Sequence, residues 1–283
     1  MPCPFLREGR ARYCHAVPVR KLILEGPGAA GGGLCTTAEY GRCSVIEQEE
    51  EGAADRCPHL EEVHVQYCGA SPVTKLVPFS ESQTSPCTGG GYKYCDSYLT
   101  RARPHGADLA PRDLLYTPNH MWLEVGEQGL CHIGVDGFLA ELAGTVDRIT
   151  FATSRGRHRP AVSLSVNEVE WPLLFPNSLL IQSVNSHIRS DPARLTADPY
   201  GSGWLFEGWE ILGKTRAGLI GGEQAKAWQA EERERLARAV HADKALCADG
   251  GVPVRGVARL LPRADVVRLF QQFFSNAGWL PDE

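Results

Sequence analysis

Beyond residue 113 the chain switches repeatedly between apolar and polar positions over short distances. The runs "MWLEV" (121–125), "LCHIGV" (130–135), "TVDRITF" (145–151), "AVSLSV" (161–166), "LLIQSV" (179–184) and "WLFEGWEI" (204–211) are separated by turn residues. Short alternating or apolar runs punctuated in this way predict strands, and their density predicts a compact β-rich domain. After "LGKTRAGLIGG" the period changes. "EQAKAWQAEERERLARAVHADKAL" (223–246) is rich in helix formers and can place Ala225, Trp228, Leu236 and Val240 on one face, with Glu232 interrupting the stripe. Glu231–Arg235 and Glu234–Arg238 have the i,i+4 spacing of a solvated face. "ADVVRLFQQFFSNAGW" (264–279) sets Val266, Leu269, Phe270, Phe273 and Phe274 at helical spacing. Two helices packed on the β domain, or a helical hairpin reaching toward the N-terminal module, are expected.

The first hundred residues carry a different signal, an internal duplication. "CPFLREGRARYCHAVPVRKL" (3–22) aligns without gaps on "CPHLEEVHVQYCGASPVTKL" (57–76), and "CTTAEYGRC" (35–43) matches "CTGGGYKYC" (87–95). Each unit reads C-x10-C, a variable loop, then C-x7-C. One set is Cys3, Cys14, Cys35 and Cys43; the other is Cys57, Cys68, Cys87 and Cys95. Four thiols are what closes a tetrahedral zinc site or holds one [4Fe–4S] cluster. A unit of about 50 residues also has too little core to dispense easily with such a staple. Neither unit has the C-x2-C knuckle common in zinc sites, so iron–sulfur is favoured over zinc, and free or redox thiols are the third reading. Whether a set is used within one repeat or shared between repeats is open. His15 and His59 lie beside cysteines, but the other repeat has a different residue at each position, so neither is a shared ligand.

"LILEGPGAAGGG" (22–33) contains G-x-G-x-x-G, yet more glycines and a cysteine follow where a dinucleotide fingerprint needs a helix; it is read as a flexible loop. Glu47 and Glu49–Glu51 read as a solvated linker between the repeats.

Composition narrows the classes. At 283 residues the chain suits two modest domains. A net charge of -5 and a pI near 6.0 give no general attraction to nucleic acid. No apolar run approaches the roughly 18 residues needed to cross a bilayer, and "MPCPFLREGRARYC" has no signal-peptide layout. A cytoplasmic protein is expected, and in a reducing compartment eight cysteines within 95 residues point to metal or working thiols rather than disulfides.

Three segments of the middle domain carry a resemblance. They are "YTPNHMWLEV" (116–125), "IGVDGFLAELAGTV" (133–146) and "SVNSHIRSDPARLTADPYGSGWL" (183–205), the last with Asp-Pro-Tyr-Gly-x-Gly-Trp. Over residues 114–213 the chain resembles the glycine cleavage H-protein family. The resemblance implies an α+β chain whose β-rich part is a lipoyl-type barrel-sandwich hybrid. It also implies a hairpin bearing a lipoylated lysine in Glu-Ser-Val-Lys. Counting back without gaps from the Asp-Pro-Tyr-Gly anchor, the Glu-Ser-Val falls on Ser165, Val166 and Asn167, and the lysine on Glu168. No lysine occurs between Lys93 and Lys214. A lipoyl amide needs a primary amine, so no lipoate is expected and the carrier reading loses its chemistry. Glu168 reads as an exposed turn acid, whereas Trp171, Leu173, Leu174 and Phe175 form an apolar strip that calls for cover, within the chain or from a partner. His120 matches a family position and is read as structural.

The organisation expected is a duplicated module over 1–100 (repeats 3–43 and 57–95), a linker over 101–113, the H-protein-like domain over 114–213 and a helical extension over 214–283. No zincin motif, P-loop, nucleophile elbow or paired acid–base set is present, so no enzyme activity is expected. The leading expectation is an accessory or adaptor protein with two metal centres formed by the eight N-terminal cysteines, serving electron transfer or redox sensing with a protein partner. A zinc-stapled interaction scaffold is the alternative, and a true lipoyl carrier the third.

Overall fold

The computed structural model describes residues 2–23, 34–46, 55–73, 75–78, 85–102, 113–153, 155–211, 213–240, 247 and 253–275. Most of the glycine-rich loop, the acidic run, and most of the expected linker lie outside these residues. The chain divides into two compact units, Met1–Tyr92 and Lys93–Glu283.

The first unit is built on a sheet. Strands β1 (Leu6–Cys14), β2 (Lys21–Ile23), β3 (Leu60–Cys68) and β4 (Lys75–Val77) lie in the order β2-β1-β3-β4, all neighbours antiparallel. The duplication is visible as a strand pair: β1 and β3 occupy the same place in their repeats and pair along their whole length, Leu6 opposite Cys68 and Cys14 opposite Leu60. The sequence reading expected thiols here but no strands, because polar and charged residues mask the period. Those charges are used across the sheet instead: Arg12 pairs with Glu62, and His15 and Arg20 both reach Glu61. Apolar burial is thin. Among the described residues of this unit the buried apolar side chains are Cys3, Ala11, Cys35, Tyr40, Cys57, Ala70 and Val77.

Among its described residues the second unit shows nine strands. They are β5 (Leu115–Tyr116), β6 (Met121–Val125), β7 (Leu130–Val135), β8 (Arg148–Phe151), β9 (Gly156–His158), β10 (Ala161–Val166), β11 (Val169–Leu174), β12 (Leu179–Val184) and β13 (Phe206–Trp209). A six-stranded sheet, β5-β6-β7-β13-β12-β9, faces a three-stranded one, β11-β10-β8, and one apolar core lies between and around them. This is the barrel-sandwich hybrid that the resemblance implies. Its helices are α1 (Asp96–Ala102), α2 (Gly137–Ala143), the single turns α3 (His187–Ser190) and α4 (Arg194–Ala197), α5 (Gly222–Val240) and α6 (Arg263–Phe273). Asp136 caps α2, its carboxylate accepting from the Phe138 N–H.

The segments that carry the resemblance serve as brackets for this fold. Trp122 is fully buried and donates its indole N–H toward the carbonyls of Val135 and Pro199. The Tyr200 hydroxyl accepts from the Gly137 N–H, and Asn185 donates to the carbonyls of Ser202 and Trp204. A β-carbon on Gly203 would stand 2.8 Å from the Asp198 carbonyl, which is why glycine sits there.

The C-terminal helices pack on the β domain. Trp171 of β11 stacks on Phe270 of α6 with ring centroids 5.3 Å apart and also meets Phe274. The apolar strip Trp171, Leu173 and Phe175 is therefore buried within the chain. In α5 the expected stripe appears, Ala225, Leu236 and Val240 being buried with Trp228 packed beside them. Glu232, which interrupts the stripe, is buried with it. Its carboxylate pairs with Arg235, so the expected i,i+4 partner of Arg235, Glu231, is passed over for an i,i+3 one.

Candidate functional site

The eight N-terminal cysteines are not in disulfides, and their placement follows from the β1–β3 pair. Cys3 and Cys14 flank β1 at its two ends. From Leu6 to Cys14 the strand extends about 26 Å at about 3.3 Å per residue, whereas two sulfurs on one tetrahedral zinc stand about 4 Å apart. The four cysteines of one repeat are thus not brought to one point. The neighbours cross between repeats. The Cys57 N–H donates to the Cys35 carbonyl (3.0 Å), and the Cys3 N–H donates to the Cys87 carbonyl (2.8 Å).

Cys35 and Cys57 are buried together with Tyr40, packed against Ile23, Ile46 and Leu60. Burial pushes the Cys35 thiol up, and charge on Cys57, Cys43 and Cys14 pushes it further. Cys68 lies at the other end of the sheet, opposite Leu6. Cys95 belongs to the second unit, where its carbonyl accepts from the Leu99 N–H at the start of α1. Among the described residues no three His, Cys, Asp or Glu side chains converge closely enough to hold a metal ion. His15 is engaged with Glu61, and His59 is exposed.

The second place of interest is the tip of the β10–β11 hairpin. Val166 pairs with Val169 and leaves Asn167 and Glu168 as a two-residue turn, with φ of 49° and 62°. Positive φ at both positions is the geometry of a type I′ hairpin turn. Glu168 projects into solvent. Its neighbour is tied down: the Asn167 N–H donates to Asp147 (2.9 Å), and Arg259 reaches the same carboxylate (2.5 Å) and the Thr145 carbonyl (2.7 Å). The Asn167 amide also points toward the Ala258 carbonyl (3.4 Å). Sequence reasoning did not anticipate that the segment before α6 would lie beside the hairpin tip.

A third cluster surrounds His120, which is fully buried with φ of 63°. Its Nδ1 lies 3.0 Å from Asp136, and its Nε2 lies 3.6 Å from Glu232. The ring stacks on Phe138 with centroids 4.1 Å apart. His120 is structural, as read from the sequence, but its second carboxylate comes from α5. A lone charge in an otherwise apolar helical stripe was the available signal.

Known proteins are similar to part of this chain. The glycine cleavage system H protein of Marinobacter nauticus is 30% identical over 101 residues, which is 34% of this chain and 77% of that protein. The chain belongs to the glycine cleavage H-protein family. The H protein of Mycolicibacterium vanbaalenii is 26% identical over 129 residues, 42% of this chain and 94% of that one. A crystal structure of an H protein from Mycobacterium marinum aligns at 22% identity over 44% of this chain and 98% of that chain, with a TM-score of 0.35. No family model matches the chain.

At the β10–β11 tip the two turn residues are Asn167 and Glu168. Glu168 is an acid without an amine, on the outer side of a turn whose other residue is braced by the C-terminal extension. Among the described residues no helix is long and apolar enough to cross a membrane.

Proposed function

We propose that this protein is a non-lipoylated H-protein-like adaptor: it keeps the H-protein scaffold as a docking surface, carries two four-cysteine metal centres in its N-terminal module, and catalyses no reaction itself. The observation that carries the reading is Glu168 at the turn where the family's lysine would stand, with the Asn167 side of that turn braced through Asp147 and Arg259. A swinging arm needs an amine to bear it and free space to swing in. Here the amine is missing, and the extension lies along one side of the tip.

The thin apolar core of the first unit supports the metal part of the reading. Three of the seven buried apolar residues described there are cysteines. A module with so little else to bury gains stability from metal–thiolate bonds. Iron–sulfur is the preferred centre, which would make the partner a redox protein in the reducing cytoplasm. A colourless protein holding zinc would instead be an interaction scaffold stapled by its cysteines.

The carrier question is tested by incubating the full chain with a lipoate–protein ligase, ATP and lipoate, followed by intact mass. An unchanged mass is expected; a lipoyl increment on any residue would overturn the adaptor reading. Anaerobic purification with a visible spectrum and elemental analysis tests the metal reading. Brown protein with iron supports electron transfer, and a chain with neither iron nor zinc would remove the metal centres.

A further inference from the structure

The metal reading assigns eight thiols to two centres without deciding which thiols share a metal. We propose that the centres are exchanged between the repeats: Cys57, from the Cys-Pro step of the second repeat, completes a tetrathiolate centre with Cys14, Cys35 and Cys43 of the first, while Cys3 reciprocally joins Cys68 and Cys87. The inference rests on the metal reading, and its geometry comes from the strand register.

The two repeats are offset by 54 residues, Cys3 matching Cys57 and Leu22 matching Leu76. Under that offset Arg10 and His64 are the same position, and they stand directly opposite each other in the β1–β3 pair. An antiparallel pair centred on a self-equivalent position is a local two-fold. Whatever precedes the strand in one repeat is carried to the place where the strand ends in the other. Cys14, at the end of β1, is opposite Leu60, whose N–H donates to the Cys57 carbonyl (3.1 Å). Cys57 is thus one turn from Cys14, and its own N–H is held by the Cys35 carbonyl.

The same contacts recur with the repeats interchanged. Leu6 is opposite Cys68, its N–H donates to the Cys3 carbonyl (3.0 Å), and the Cys3 N–H is held by the Cys87 carbonyl. The outer ladder bonds match as well: His15 N–H to His59 carbonyl, and Gly69 N–H to Phe5 carbonyl. Two separate places in the unit therefore show one arrangement, which is what exchange requires. In the chain, Cys95 follows Cys87 as Cys43 follows Cys35.

Exchange also gives each centre a mechanical role. A metal held by thiols of both repeats ties the start of each repeat to its neighbour. Closing it requires the side chains around Cys35 to turn toward one point, since no three converge on an ion as they stand. The repeats would then fold together rather than one at a time.

The test titrates the reduced full chain with Co2+ and follows the thiolate-to-cobalt absorbance. The wild type is expected to take about two equivalents, one per centre. Exchange predicts that Cys14→Ser with Cys57→Ser damages a single centre and leaves one equivalent, whereas Cys57→Ser with Cys68→Ser damages both and leaves none. The reverse pattern, none for the first pair and one for the second, would overturn exchange and leave the metal reading standing. A wild type that takes no cobalt would overturn the metal reading. The geometry is then tested separately by bridging thiols in the wild-type chain with dibromobimane and mapping peptides. Links from Cys57 to Cys35 or Cys14 support the exchanged arrangement; links from Cys57 to Cys68 or Cys87 refute it.

Discussion

Gly144 and Gly256 meet backbone to backbone: a β-carbon on Gly144 would stand 2.9 Å from the Cα of Gly256, and one on Gly256 would stand 3.1 Å from the Cα of Gly144. Both have positive φ, 71° and 78°, and the Gly256 N–H donates to the Glu141 carbonyl (2.8 Å) at the end of α2. This contact is where the C-terminal extension joins the H-protein-like fold. It also positions Ala258 and Arg259 beside the hairpin tip.

Gly256→Ala should therefore loosen the extension. The methyl group adds a left-handed backbone penalty of about 1–2 kcal/mol to an overpacking cost of about 1–3 kcal/mol. A loss of about 2–5 kcal/mol in urea unfolding of the second unit is expected. No measurable loss would mean that the extension is not held at this contact.

At the hairpin tip the prediction runs the other way. Glu168 holds a left-handed conformation with its side chain in solvent, and the second position of a type I′ turn favours glycine. Glu168→Gly removes a left-handed penalty of about 1–2 kcal/mol against a glycine entropy cost of about 0.5–1 kcal/mol, so stability should rise by about 1 kcal/mol. The same variant checks whether the carboxylate matters: an adaptor that uses the scaffold and not the tip should bind its partner as before. A drop in partner binding by the more stable variant would give Glu168 a role beyond that of a turn residue.

The His120 cluster makes stability depend on pH. Burial alone would lower the His120 pKa, but Asp136 and then Glu232 outweigh it and raise the pKa above its ordinary value. A raised folded value means that the contribution is complete below the unfolded pKa of about 6.5 and is lost as pH rises through the folded one. Glu232 is opposite in sense. Burial pushes its pKa up, yet His120 and Arg235 bring it below the ordinary carboxylate value. Its contribution is present above about 4.5 and is lost as pH falls through the folded value. Unfolding free energy should therefore decline on the alkaline side of about pH 6.5, and Glu232→Gln should make that decline shallower. Equal slopes for the two proteins between pH 6 and 9 would show that Glu232 does not hold the proton on His120.

How far the sequence could be read depended on whether a residue's role was local. The brackets at Trp122, Asn185, Tyr200 and Gly203 lie in short segments that are each legible as a residue pattern, and the fold followed from them. The apolar strip Trp171–Phe175 announced that it needed cover, because three large side chains on one face of a strand cannot remain in water. What stayed hidden was pairwise and distant. Glu232 looked like a flaw in a helical stripe until His120, more than a hundred residues earlier, supplied its partner. The thiol grouping was hidden for the same reason. C-x10-C looks like a ligand pair, but a strand that spans the gap sends its two ends apart.

Cys131 tests whether the thiols of the two units are chemically distinct. It lies wholly buried in β7, donates toward the Gly129 carbonyl (3.4 Å), and its pKa is pushed up to about 12, chiefly by burial and then by the charge of Glu210. The thiolate is the reactive form, so at pH 8 this residue offers almost none of it, and the core bars a reagent from reaching it. In native protein Cys131 should resist iodoacetamide, becoming reactive only once urea unfolds the second unit. Because this protection comes from packing, metal chelators should leave it unchanged while they expose any N-terminal cysteine that holds metal. Labelling before and after chelation, read by peptide mass, separates the two causes. Alkylation of Cys131 in the native chain as fast as in urea would show that the β7 core opens readily, and loss of its protection on chelation alone would show that metal release unfolds the second unit.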